Sequence, residues 1–113
     1  MHKTYSERRQ AILFVAAREY LKLAAAILDD CTEEAEFRGS SAAWCRRQAA
    51  KTARRGNELE QEGHEACSAT PHADNANHRA HYAYEQAIAR FEKRGLSFGV
   101  TPEMLVDKAE QLA

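Results

Sequence analysis

The stretch Ala11 to Leu28 constrains this chain most, because only Arg18, Glu19 and Lys22 interrupt its apolar surface. On a helical wheel those three side chains fall within one narrow sector, and nearly every other direction is apolar. A helix lying on a protein surface needs an apolar stripe of roughly 100°. A wider one predicts neighbours on at least two sides, so this stretch reads as the central helix of a bundle or as a helix shared with a second copy of the chain. Arg18 and Glu19 end the seven-residue apolar run Ala11 to Ala17, which makes a poor signal peptide. The same charges break a membrane span, which needs about 20 mostly apolar residues.

A chain of 113 residues is expected to form a single helical domain over 1–113. Ala, Glu, Arg, Lys, Leu and Gln dominate, β-branched residues are scarce, and no segment reads as a sheet. The expected fold class is all-α, a small bundle of three main helices plus a short C-terminal helix. Three cysteines, Cys31, Cys45 and Cys67, form an odd set without a secretion signal, which predicts reduced thiols and a cytoplasmic protein. The net charge of −1 gives no bulk attraction to nucleic acid or anionic lipid, so such binding would need a local patch.

Thr4 and Glu7 have capping-box spacing, so the first helix should start there and run to about Phe37, with a break or kink at Asp29 to Thr32. Ser40 and Ser41 offer caps for a second helix ending near Gly63. On it Ala42, Cys45, Ala49, Ala53 and Gly56 form a face of small side chains, which permits close approach by bulky residues. Leu13, Phe14, Leu21 and Ile27 or Leu28 are the expected occupants, with Trp44 closing one end. Residues 62–74 read as the principal loop, after which Asp74 or Asn75 can cap a third helix from Ala76 to Arg94. Its apolar face is Ala80, Tyr84, Ala87, Ile88 and Phe91. Within it, Tyr82 to Lys93 resembles the second helix of a tetratricopeptide repeat, without the second copy that an array of about 34-residue units needs. Thr101, Pro102 and Glu103 start a last helix reaching about Leu112, expected to cover the open side of the first.

Two groups of residues invite functional readings. His64, Cys67, His72, His78 and His81 cluster around the loop and the third helix, and imidazole and thiolate are the ligands zinc prefers. Their spacing fits no standard zinc pattern, so no metal or cofactor is expected; His78 and His81, with Glu85 one turn on, share one helix face. The second group is Arg46, Arg47, Lys51, Arg54 and Arg55, a basic flank with no intervening acid, followed by Glu58, Glu60, Glu62 and Glu65. Such a flank suits an acidic protein surface or phosphates, and the acidic continuation of the same helix disfavours DNA.

No glycine-rich phosphate loop, H-E-x-x-H or G-x-S-x-G motif is present. The expectation is therefore a non-enzymatic protein acting by protein–protein binding, of the inhibitor, antagonist or adaptor kind that phages and mobile elements encode, self-associating as a homodimer. The alternative is a nucleic-acid-associated regulator using the basic flank, and a His/Cys metal-binding protein comes third.

Overall fold

Gln10, Phe14, Ala17, Leu21, Ala24 and Leu28 follow one another at alternating steps of four and three, and all are nearly or fully buried. This is the two-per-heptad seam that packs one helix lengthwise on another. The computed structural model describes residues 5–37, 39–66 and 75–105, with the side chains of 31–42 and 75–76 outside the description. Over these residues the chain forms α1 (Tyr5–Phe37), α2 (Gly39–Ala66) and α3 (Asn75–Ser97), then a 3-10 turn at Pro102–Leu105. The fold is all-α, and among the described residues there is no strand and no helix long and apolar enough to cross a membrane.

The run up-down-up is fixed by a few pairs. Gln10 and Phe14 of α1 meet Gly63 of α2, while Leu21 meets Gly56, so α1 and α2 are antiparallel. Glu7 of α1 meets Asn77 of α3 and Asp29 forms an ion pair with Arg94, so α1 and α3 run parallel. Both neighbours pack mainly on α1 and touch each other little. The central position expected for residues 11–28 therefore holds on two sides.

The third side is open. Ile12, Val15 and Leu23 are 67%, 45% and 52% exposed and lie on one outward stripe of α1. Of the C-terminal segment expected to cover that stripe, the described turn at Pro102–Leu105 packs on α2 instead. Its expected continuation to Leu112 lies outside the described residues, as do the caps at Thr4 and Asp74.

The small-residue face of α2 does what its spacing predicts from Cys45 onward, the side chain of Ala42 lying outside the description. Cys45, Ala49, Ala53 and Gly56 are buried, together with Ala50 and Leu59, opposite Leu13, Phe14, Leu21 and Leu28. A methyl group at Gly56 would run into Leu21 Cδ2 and stand 3.0 Å from the Ala17 carbonyl oxygen. Gly56→Ala raises helix propensity by about 1 kcal/mol, but overpacking a filled core costs about 1–3 kcal/mol. The expected net is a loss on the order of 1 kcal/mol, read as a lower urea midpoint with unchanged slope. A higher midpoint would show that α1 and α2 have slack at this level.

Other expectations are corrected. Helix α1 passes unbroken through Asp29 to Thr32. Helix α2 continues to Ala66, so Gly63 is a helical residue rather than a terminator. It is retained there because a Cβ would stand 2.6 Å from Cε1 of the buried Phe14 ring. Trp44 closes nothing and is 54% exposed. Cys45 is disulfide-bonded, so three reduced thiols are not what the chain carries. That withdraws the support the cysteines gave to a cytoplasmic setting.

Helix α3 runs past Gly95 to Ser97 and ends in a Schellman motif. The Val100 amide donates to the Gly95 carbonyl at 2.8 Å and the Gly99 amide to the Leu96 carbonyl at 3.2 Å. Gly99 takes the left-handed conformation the motif needs, with φ of +86°. Val100 is thereby folded back against Gly95 and buried.

Candidate metal centre

Where the N-terminal half of α1 meets the end of α2 and the start of α3, the seam stops being hydrocarbon. Gln10 and Asn77 are both fully buried, and their amides are joined: Asn77 Nδ2 donates to Gln10 Oε1 at 2.9 Å and to the Glu7 carbonyl at 3.0 Å. Gln10 Nε2 donates in turn to the Gly63 carbonyl at 3.2 Å. Buried amides persist only when bonded in this way, and each bond here joins two different helices.

One turn along lies Phe14, fully buried, with two imidazoles against its ring. His64 of α2 and His81 of α3 have ring centroids 5.2 and 4.8 Å from that of Phe14, and 4.8 Å from each other. Helical geometry then brings Glu60, one turn before His64, to the same spot. Glu60 Oε1 is 2.7 Å from His64 Nε2 and 3.1 Å from His81 Nε2, and the two Nε2 atoms are 3.1 Å apart. On the far side of its ring His81 Nδ1 meets Glu85 Oε1 at 2.7 Å. The side chains are 20% (Glu60), 33% (His64) and 13% (His81) exposed, so the cluster is recessed yet reachable by water.

Tyr84 closes the next level. Its hydroxyl donates to Asn57 Oδ1 at 2.6 Å, and burial, reinforced by the carboxylates of Glu60, Glu92 and Glu85, pushes its pKa well above the usual phenol value.

Of the residues the sequence offered as ligands, the structure unites His64 and His81. His78 is exposed and does not join them; Cys67 and His72 lie outside the described residues. Glu60 replaces them as third member, and the signal for it was present as Glu-x-x-x-His spacing on one helix. Among the described residues this is the one group of three or more His, Cys, Asp or Glu side chains whose donor atoms converge.

The basic flank of α2 is less uniform than its sequence implies. Arg47 and Lys51 are exposed, Arg54 is half-buried, Arg55 pairs with Glu58 at 3.0 Å, and Arg46 lies along Gly99. A second basic locus, which spacing along one helix does not reveal, is a groove of about 470 Å³ between α1 and α3, where Arg18, Lys22, Arg90 and Arg94 rim Leu21 and Ala87. Glu19 and Asp29 pair with three of these four cations. Compared with family models, curated proteins and solved structures, the chain matches none.

Proposed function

We propose that this chain is a non-enzymatic helical module that works by protein–protein contact, and that it pairs first with a second copy of itself through the outer face of α1. The observation carrying this reading is the stripe of Ile12, Val15 and Leu23, more exposed than large aliphatic side chains in the middle of a central helix ordinarily are; Glu19, which falls on the same stripe, is paired within its own helix with Arg18 and Lys22. Tyr5, 80% exposed, continues the stripe toward the N-terminus.

Charge supports a second copy as the occupant. Exposed Arg8 and Arg9 stand at one end of the stripe and exposed Asp30 at the other. Two α1 helices crossing antiparallel about a two-fold axis near Arg18 set Ile12 of each copy opposite Leu23 of the other, and the basic end of each opposite the acidic end. A two-fold interface must be self-complementary in this sense. The chain's near-zero net charge adds little long-range repulsion.

Sedimentation velocity over a concentration series tests the reading. The wild-type chain should be a dimer, and the double variant Ile12→Glu/Leu23→Glu a monomer of equal helicity by circular dichroism. That variant removes four large apolar side chains from a two-fold interface at roughly 1.5–3 kcal/mol each, which raises Kd about 10⁴-fold or more. A wild-type chain that stays monomeric at concentrations on the order of 100 μM, or a double variant that still dimerises, would overturn it.

A further inference from the structure

We infer that Glu60, His64 and His81 form a binding site for a divalent transition-metal ion, zinc being the best fit, which ties α2 directly to α3. The first support is geometric. The three donor atoms make a triangle with sides of 2.7, 3.1 and 3.1 Å. Ligands of a tetrahedral zinc, each about 2.0–2.1 Å from the ion, stand about 3.3 Å from one another, so seating an ion requires two sides of the triangle to open by about 0.2 Å and the Glu60–His64 side by about 0.6 Å. Two imidazole nitrogens and one carboxylate oxygen are a donor set zinc accepts, with the fourth position left to water. The partial exposure of Glu60 and His64 leaves water a route to that position.

The second support is the partner behind His81. An ionised carboxylate only accepts hydrogen bonds, so the 2.7 Å contact between Glu85 Oε1 and His81 Nδ1 places a proton on Nδ1. In neutral imidazole this leaves the Nε2 lone pair facing Glu60 Oε1 and His64 Nε2. A carboxylate holding the outer nitrogen while the inner nitrogen faces the ion is the arrangement that orients metal-bound histidines. Without an ion, Glu60 Oε1 and the two Nε2 atoms, 2.7 to 3.1 Å apart, can be reconciled only by protons carried on the rings. A cation satisfies all three donors at once.

The third support is rigidity. Phe14 packs against both imidazoles, and Tyr84 lies on the other flank of His81 with ring centroids 6.1 Å apart, so the rings are held by packing rather than left to rotate in solvent. Because α2 and α3 otherwise meet mainly by way of α1, a bond from Glu60 and His64 to His81 through an ion adds a link the apolar core does not supply.

The test uses untagged, chelator-treated full-length chain titrated with zinc. One ion per chain is expected by calorimetry, with a rise in Tm of about 10 °C when free zinc exceeds Kd a hundredfold. His81→Gln and Glu60→Gln should each abolish that rise. Glu85→Gln, which leaves every ligand in place, should raise Kd about 10–100-fold. Cobalt in place of zinc should give the visible spectrum of a tetrahedral nitrogen–oxygen site without a thiolate charge-transfer band in the near ultraviolet. No zinc uptake, or uptake equal in wild type and His64→Gln/His81→Gln, would overturn the assignment. So would a thiolate band that disappears in Cys67→Ser, since it would put the ion on a different ligand set. Circular dichroism checks that each variant folds, and the Glu85→Gln and cobalt measurements decide the matter even where a ligand substitution unfolds the chain. Ile12 and Leu23 lie on the opposite side of α1 from Phe14, so the result does not depend on self-association.

Discussion

Phe14→Ala is expected to lower the unfolding free energy by about 3–5 kcal/mol, a large part of the roughly 5–15 kcal/mol that holds a domain of this size together. The magnitude follows from position. Phe14 is fully buried, it is the point where all three helices meet, and it is the apolar floor under His64 and His81. Deleting the ring leaves a cavity whose wall includes the Glu60 cluster, so the hole is bordered by groups that bind water, and α2 and α3 lose their common support on α1. Phe14→Leu keeps most of the apolar volume and should lose on the order of 1 kcal/mol. A second substitution makes the argument specific to this contact. Gly63→Ala drives a methyl group into the Phe14 ring in the wild-type chain, where it should destabilise, but in the Phe14→Ala background the same methyl enters vacated space and should stabilise. Urea unfolding followed by circular dichroism reads all four chains. A loss below about 1 kcal/mol for Phe14→Ala, or a Gly63→Ala effect of one sign in both backgrounds, would mean the ring is not the keystone of this end of the bundle.

Much of this architecture is legible in the residues because one principle governs it. The apolar stretch Ala11 to Leu28 on α1 and the alanines of α2 are recognised by helical spacing alone, and their buried faces pack as that spacing requires. What spacing does not reveal is which of two similar faces is left over. Ile12, Val15 and Leu23 are as apolar as Leu13, Leu21 and Leu28, and it is the docking of α2 and α3 on the other faces of α1 that leaves the first set exposed. Gly63 misleads for a related reason. A glycine near a polar stretch suggests a helix end, whereas here it marks a close approach by an aromatic ring 49 positions away in the chain. The histidine cluster is half legible: residue type points to His64 and His81, but 17 positions separate them. The antiparallel register of α2 and α3, which brings Glu60 in and leaves His78 out, is a property of the packed helices.

That register has a specific guardian, and removing it should give the second large effect. Asn77→Ala takes away the donor that Gln10 Oε1 receives at 2.9 Å inside the core, and Gln10→Ala takes away the donor to the Gly63 carbonyl. A buried acceptor left unmade costs about 1–3 kcal/mol, and the small cavity adds to it, so each single variant should lose about 2–3 kcal/mol. The double variant Gln10→Leu/Asn77→Leu should lose much less than the two singles together, with a coupling on the order of 1–2 kcal/mol, because replacing both partners leaves no polar group stranded. Stability is not the whole role of the pair. An apolar seam at steps of three and four is tolerant of sliding, since one heptad looks much like the next, and a single buried polar pair penalises every register but one. In this chain the penalty falls on α3, whose slide along parallel α1 would separate Asn77 from Gln10 and carry His81 away from Glu60 and His64. The apolar double variant should therefore unfold at nearly the wild-type urea midpoint and yet show broadened nuclear magnetic resonance signals along α3. Zinc should sharpen them, because an ion seated on Glu60, His64 and His81 selects the same register by different means. Strict additivity of the two single losses, or an α3 as well ordered in the double variant as in the wild type without zinc, would show that the amides stabilise this end of the bundle without choosing its alignment.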